Sequence, residues 1–263
     1  YLYSKGVRLN CIDIDPFGSP APFIEPSLRL LSRAGEGVLC VTATDLTVLL
    51  GKYPDKCYRV YGAWSYLTEY SKEIGLRILI GYIERIAYSL NLHVDFPLAL
   101  YHGNFLRVFS MVSRGLKDKS PTENLGFIYH CPKCEWRTST RMDSSPLNRC
   151  PRCRGKLLAI GPLWIKDYAD PTLLTKIIKS LSTRDHILMW RLRVIKEEIR
   201  NTPWFYDLDR VSRRLGIPSF SVNRLLRELE HEGWPASRSH ISFKSVKTTA
   251  PIELVESIAK LIQ

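Results

Sequence analysis

Two Cys-x-x-Cys pairs, Cys131-Pro-Lys-Cys134 and Cys150-Pro-Arg-Cys153, stand fifteen residues apart. That spacing limits what the middle of the chain can become. Each pair turns back on itself so that two thiolates aim at one point, and two such turns complete a tetrahedron around a metal. This is the zinc-ribbon pattern, placed at about residues 126–160. Four protein ligands leave no open coordination position, so the metal is structural. Disulfide pairing is the competing reading. No secretory leader is visible, which favours a reducing compartment and metal over disulfides. Cys131, Cys134, Cys150 and Cys153 are therefore the expected zinc ligands.

Charge divides the chain in two. Residues 1–113 carry 11 Lys/Arg against 10 Asp/Glu, and residues 114–263 carry 27 against 16. Chemistry in a near-neutral first part and polyanion holding in a basic second part would account for the asymmetry. An apolar fraction of 45% supports real cores. The best candidate for a membrane span, Ile74 to Leu90, is interrupted by Arg77, Glu84 and Arg85. No membrane span is expected, and the location expected is the cytoplasm.

The first part reads as α/β. Asn10–Ile14 is a strand and Pro22–Ser32 a helix with Ile24, Leu28 and Leu31 on one face. Gly37–Thr42 is an unbroken apolar run of the kind found in parallel strands buried on both faces. Ala63–Asn91 has helical period and is expected as two helices meeting near Gly75. His93–Leu100 and Phe105–Val112 read as strands joined at His102-Gly103-Asn104. The order suits the second half of a doubly wound sheet closed by an antiparallel hairpin. The chain begins at Tyr1, not Met, directly before a buried strand. The expectation is that an N-terminal part carrying the glycine-rich cofactor turn is absent.

The first strand runs into Asp15-Pro16-Phe17-Gly18-Ser19-Pro20. At the C-terminal edge of such a sheet, ligands bind. A carboxylate there can accept the N–H of a ring amine and take its proton as a new bond forms. Pro16 fixes φ and leaves nearby carbonyls free to accept. Phe17 offers a stacking face, and Gly18 allows close approach. An Asp-Pro turn that only ends a strand is the plainer reading of these residues.

Lys117–Asn124 is taken as the boundary between domains 1–116 and 117–263. Around the cysteines, Lys133, Arg137, Arg141, Arg149, Arg152, Arg154 and Lys156 outnumber Glu135 and Asp143, so the metal knob suits phosphate contact. Helices are expected over Pro171–Ser182 and Asp185–Arg200. Then Tyr206–Leu215, the Gly216-Ile-Pro218 turn, Ser219–Glu232 and a β-like basic tail over Gly233–Thr249 make a winged-helix-like pattern at about 203–250. Arg224, Arg227, Arg238, His240, Lys244 and Lys247 are its candidate phosphate contacts. A solvated helical module is the alternative.

In order along nearly the whole chain, these residues resemble the S-adenosylmethionine-dependent tRNA guanine-N2 dimethyltransferase family. The resemblance rests on Asp13-Ile-Asp15-Pro-Phe-Gly-Ser-Pro20, Val41-Thr-Ala-Thr-Asp45, Leu49-Leu-Gly51, Cys57-Tyr-Arg-Val-Tyr-Gly62 and Gly75-Leu-Arg-Ile-Leu79. It continues through Arg107-Val-Phe109, Gly161-Pro-Leu-Trp164, Leu215-Gly-Ile-Pro-Ser219, Arg224-Leu-Leu-Arg-Glu-Leu229, Ala236-Ser-Arg-Ser-His240 and Lys247-Thr-Thr-Ala-Pro251. One departure is Leu98-Ala-Leu-Tyr-His-Gly-Asn104, where the family usually has Ser and Asp positions.

The resemblance implies the C-terminal half of a Rossmann-like class I methyltransferase sheet followed by an α+β domain. It implies methyl transfer from S-adenosylmethionine to N2 of guanine 26 in tRNA, giving N2-methyl- and N2,N2-dimethylguanosine. Asp15 would be catalytic, and Pro16, Phe17, Gly18 and Ser19 would bind the base. Arg137, Arg152, Arg224, Arg227, Arg238, Lys244 and Lys247 would bind tRNA. The cofactor-binding residues would lie mostly in the absent part, leaving this chain inactive alone. No obligate protein partner is expected, so the protein would be a monomer. Two rival readings are a non-catalytic zinc-ribbon and winged-helix nucleic-acid-binding protein and an amine methyltransferase with another substrate.

Overall fold

The computed structural model describes residues 8–116, 120–198 and 202–263. Strand β1 (Cys11–Ile14) leads through the Asp15–Pro20 loop into helix α1 (Ala21–Leu31) and strand β2 (Glu36–Ala43). Short helices α2 (Leu46–Leu49) and α3 (Pro54–Tyr61) precede the long α4 (Ser71–Ser89), and β3 (Leu92–His102) and β4 (Phe105–Arg114) form a hairpin. The sheet order is β1-β2-β4-β3, with β1 parallel to β2 and the other pairs antiparallel. The hairpin thus folds back, placing β4 against β2 and leaving β3 at the edge.

The apolar spacing of α1 buries Ile24, Leu28 and Leu31 completely. In β2, Leu39 to Ala43 is buried throughout, as expected of a strand between two others. The two-helix expectation for Ala63–Asn91 fails. One helix runs unbroken from Ser71 to Ser89, and Gly75 lies inside it. Glycine is there for contact and not for a break. A Cβ at Gly75 would lie 3.0 Å from Leu50, and one at Gly81 would lie 3.1 Å from Leu125 and from the Trp164 nitrogen. A helix can approach its neighbours this closely only where side chains are missing. Helices α2 and α3 had no counterpart in the apolar pattern, being four and eight residues long.

A second sheet, ordered β6-β5-β7, comprises β5 (Leu125–His130), β6 (Arg137–Arg141) and β7 (Leu158–Trp164). Strand β7 packs on α4, and one apolar cluster runs from Ile24 and Leu39 through Ile80 to Leu125, Ile160 and Leu163. Helices α5 (Pro171–Ser180) and α6 (His186–Glu197) follow. Asp170 and Asp185 cap them through their side chains, which fixes where each helix starts. Lys117–Lys119 of the expected boundary, and Ile199 and Arg200 of the expected helix, lie outside the described residues.

The last part contains β8 (Tyr206–Asp207), α7 (Leu208–Leu215), α8 (Val222–His231), β9 (Ala236–Ser239), β10 (Ser242–Thr248) and α9 (Ile252–Leu261). Its sheet order is β8-β10-β9. Gly216, with φ of 65°, ends α7, a left-handed cap that glycine adopts freely. Helix α9, absent from the sequence expectation, packs on α7 and α8. Among the described residues no helix is long and apolar enough to cross a membrane.

Candidate active site and metal centre

Strands β1 and β2 are parallel, so their C-terminal ends share one edge of the sheet. The Asp15–Pro20 loop leaves β1 there, and Thr44 and Asp45 leave β2 beside it. Gly18 has φ of +108°, a conformation side chains rarely adopt. Its N–H donates to Thr44 Oγ1 at 2.7 Å, and its carbonyl accepts from the Thr44 N–H at 3.1 Å. The loop is therefore pinned by its glycine while Asp15 and Phe17 point outward. Asp15 is exposed, and Phe17 is exposed over its whole side chain. No hydrogen bond or ion pair among the described residues engages the Asp15 carboxylate. A free aromatic face and an unspent carboxylate on a pinned loop are what recognition of a flat amine-bearing ring requires.

Apart from Ser19, the residues that support this loop received no role from the sequence. Arg107 grips Asp13 through two hydrogen bonds of 2.8 and 2.7 Å and reaches Thr42 Oγ1 at 2.6 Å. The Asp13 bonds raise the Arg107 pKa despite partial burial, which keeps a cation two residues from Asp15. Behind the loop, the Tyr61 hydroxyl lies 2.8 Å from Ser19 Oγ and 2.9 Å from both Asp45 oxygens. Burial, then the Asp45 charge, push the Tyr61 phenol far above its ordinary value. Burial also raises Asp45, opposed by its hydrogen bond from Tyr61. Cys57, fully buried beside this group, is pushed up to about 12 by burial and Asp45. It is an inert thiol and not a nucleophile.

The four cysteines come together as expected, with their sulfurs all within 4.8 Å of one another. Cys131 and Cys153 sulfurs are 3.4 Å apart, and those of Cys134 and Cys150 are 3.5 Å apart. A tetrahedron with Zn–S bonds of about 2.3 Å requires sulfur separations of about 3.8 Å, so the group fits zinc. The two turns repeat one another. The N–H of Glu135 donates to the Cys131 carbonyl and that of Arg154 to the Cys150 carbonyl, both at 2.9 Å. Glu135 and Arg154 each follow the second cysteine of their pair, and both have φ of 61°. That left-handed step folds each pair around one point. The Gly155 N–H lowers the Cys153 thiol to about 7, whereas burial raises those of Cys131 and Cys134.

The expected phosphate contacts divide. Arg227 and Arg224 are exposed on α8, Arg224 also donating to the Ile262 carbonyl at 3.0 Å. Arg238 donates to Asn223 and Phe243. Lys244 pairs with Asp209 at 2.9 Å, and Arg152 pairs with Glu253 and Glu256 on α9. Arg137, Lys247 and His240 require correction, because all three are buried. Arg137 lies between the Tyr70 and Tyr206 rings and meets Glu69 at 2.6 Å. Lys247 donates to Glu73 at 2.9 Å and Glu198 at 3.1 Å, and Glu198 also accepts from the His240 ring and N–H. A phosphate cannot reach such groups without opening the core. The sequence shows their charge but not their distant carboxylate partners.

Fold and site together define an α/β protein with an open ligand edge on one sheet and a separate tetrathiolate centre on another. Residues 1–260 match the family model described as N2,N2-dimethylguanosine tRNA methyltransferase, and the chain belongs to that family. A tRNA (guanine(26)-N(2))-dimethyltransferase of Methanobrevibacter smithii is 32% identical over 262 residues, covering 97% of this chain and 67% of the relative. One from Methanosphaerula palustris is 36% identical over 256 residues, covering 94% and 67%. The solved structure of Trm1 from Pyrococcus horikoshii with S-adenosyl-L-methionine superposes with a TM-score of 0.83 at 33% identity, covering 95% of this chain and 65% of that one. The chain thus spans about two thirds of the length of these relatives.

Proposed function

We propose that this chain carries the base-recognising edge and the tRNA-holding part of a tRNA guanine-N2 dimethyltransferase acting at position 26. The single observation that carries the reading is the pinned loop with an exposed Asp15 carboxylate that no hydrogen bond or ion pair engages among the described residues. Family membership and the relatives' named activity support it. S-adenosylmethionine, when bound, supplies a methyl group already activated on sulfur. Asp15 accepts an N–H of guanine N2, raises the nucleophilicity of the nitrogen and takes its proton as the methyl arrives. A carbonyl of the Pro16 region takes the second N–H, and Phe17 stacks on the base. Alignment and exclusion of water account for the rest of the rate. The target base must leave its stack to reach this edge.

In the same reading, β1 to β4 are the second half of a Rossmann-like methyltransferase sheet. Residues 117–263 form the tRNA-binding domain, with a zinc ribbon and a winged-helix-like unit built from α7, α8, β9 and β10. Arg152, Arg224, Arg227, Arg238 and Lys244 are its phosphate contacts. Arg137 and Lys247 are structural ions instead.

The test is methylation of unmodified tRNA by the full-length gene product, read as nucleosides by mass spectrometry. Asp15→Ala should lower turnover on the order of 10²–10⁴-fold, with tRNA affinity unchanged. Equal turnover in wild type and variant would remove Asp15 from the chemistry. A folded wild-type protein that binds tRNA and methylates no guanosine would favour a purely binding role.

A further inference from the structure

The relay behind the catalytic loop has a direction. Tyr61 is fully buried and keeps its proton, and a phenol has only one to give. An ionised carboxylate accepts and cannot donate. Both Asp45 oxygens lie 2.9 Å from the Tyr61 oxygen, so with Asp45 ionised that one proton belongs between Tyr61 and Asp45. The Tyr61 oxygen can then meet Ser19 only as an acceptor. The Ser19 proton must point inward, across the 2.8 Å contact. Its lone pairs remain, one of them taken by a long 3.3 Å bond from the Ala21 N–H.

Asp45 is committed to this arrangement. It occupies the N-cap of α2, where aspartate ordinarily accepts from the helix's first N–H groups. Its side chain makes no such bond and turns to Tyr61 instead. Its neighbour Thr44 binds the Gly18 backbone from the same side. Two consecutive residues after β2 therefore control two consecutive residues of the loop, one through the backbone and one through a hydroxyl.

The geometry points to Asp45 and Tyr61 as positioning residues that fix the polarity of Ser19, so that its hydroxyl meets the N–H-bearing edge of the substrate base as an acceptor. This inference rests on the proposed base-methylating function. The loop then shows the base edge only acceptors: the Asp15 carboxylate and a carbonyl of the Pro16 region for the two amine N–H groups, and the Ser19 oxygen for the neighbouring ring N–H. Such a rim suits a base edge rich in N–H donors and opposes one that presents an acceptor, because a buried unmatched pair costs more than a missing bond. Asp45 and Tyr61 do not touch the substrate; they act through Ser19.

A double-mutant cycle tests this in the full-length gene product, with dimethylguanosine formation as the readout. Tyr61→Phe should lower kcat about threefold to tenfold, the worth of one oriented neutral hydrogen bond, with KM for tRNA unchanged. Tyr61→Phe placed in Ser19→Ala should cost nothing further. If the double variant loses the product of the two single losses, Tyr61 does not act through Ser19 and the proposal falls.

Asp45→Asn supplies an arm that keeps the shape of the site. Its amide can donate to Tyr61, which then donates to Ser19 and turns that hydroxyl outward as a donor. The loss should exceed that of Ser19→Ala; a smaller loss would overturn the assigned polarity. Failure of the underlying function is separate, because the wild-type protein would then form no dimethylguanosine at all.

Discussion

The Asp15 loop and the Glu73 cluster treat carboxylates in opposite ways. Asp15 stands exposed with no hydrogen bond or ion pair among the described residues, on a loop held by the bonds between Gly18 and Thr44. Glu73 is fully buried and accepts from Arg77 at 2.7 Å, Lys247 at 2.9 Å and Tyr168 at 3.0 Å. Arg77 continues to the Trp164 and Lys166 carbonyls, both at 2.9 Å. Burial alone would raise the Glu198 pKa, but Lys247 and His240 outweigh it and hold that carboxyl well below its ordinary range. The first region leaves a charge exposed at the sheet edge. The second spends every charge on joining α4, the segment after β7, the end of α6 and β10. The difference separates groups available for chemistry from groups that hold the two halves of the chain in register.

The metal centre offers the largest break in this comparison. Cys150→Ser removes one thiolate, and structural zinc contributes binding free energy of order 10 kcal/mol to its fold. The variant should lose stoichiometric zinc by metal analysis and lose protection of β5 to β7 in hydrogen exchange, while β1 to β4 keep theirs. Retained zinc would refute the four-thiolate site.

Lys247→Met should cost about 3–5 kcal/mol by stranding two buried carboxylates, read as a lower urea midpoint. The same cluster predicts a pH dependence. Lys247 also holds Glu73 below its ordinary value against the opposing effect of burial. A carboxyl depressed in the folded state stabilises above its unfolded pKa, near 4.5, and loses that contribution as pH falls through the lower folded value. Wild-type stability should therefore decline below about pH 4.5, and more steeply than that of Lys247→Met. Parallel acid profiles would mean that the cluster carries no linked stability.

The smallest effect belongs to the exposed face. Arg224→Ala with Arg227→Ala should leave the fold intact, weaken tRNA binding and reduce the slope of log affinity against log salt by about 1 to 2. An unaltered slope would mean that this face of α8 is only solvated.

Short-range pattern made much of this architecture readable. The α1 stripe, the β2 run, the hairpin turn, the two cysteine knuckles and the α7–α8 turn each lie within a few residues of sequence. The continuous α4 was misread because Gly75 resembles a break until α2 is seen against it. Arg137 and Lys247 were misread because a cation looks the same in sequence whether it faces water or a buried glutamate. Arg137 meets Glu69 across the molecule, and Lys247 meets Glu73 across 174 residues of chain.

The sequence by itself determined the metal centre, the family and the carboxylate loop, because each is written in residue types at fixed local spacing. Only the tertiary structure decided which cations are internal and which groups stand behind Ser19. Those depend on groups that local spacing cannot pair, namely Glu73 with Lys247 and Asp45 with Tyr61. Burial then turns each meeting into an obligate bond, because a polar group withdrawn from water must find its partner inside the protein.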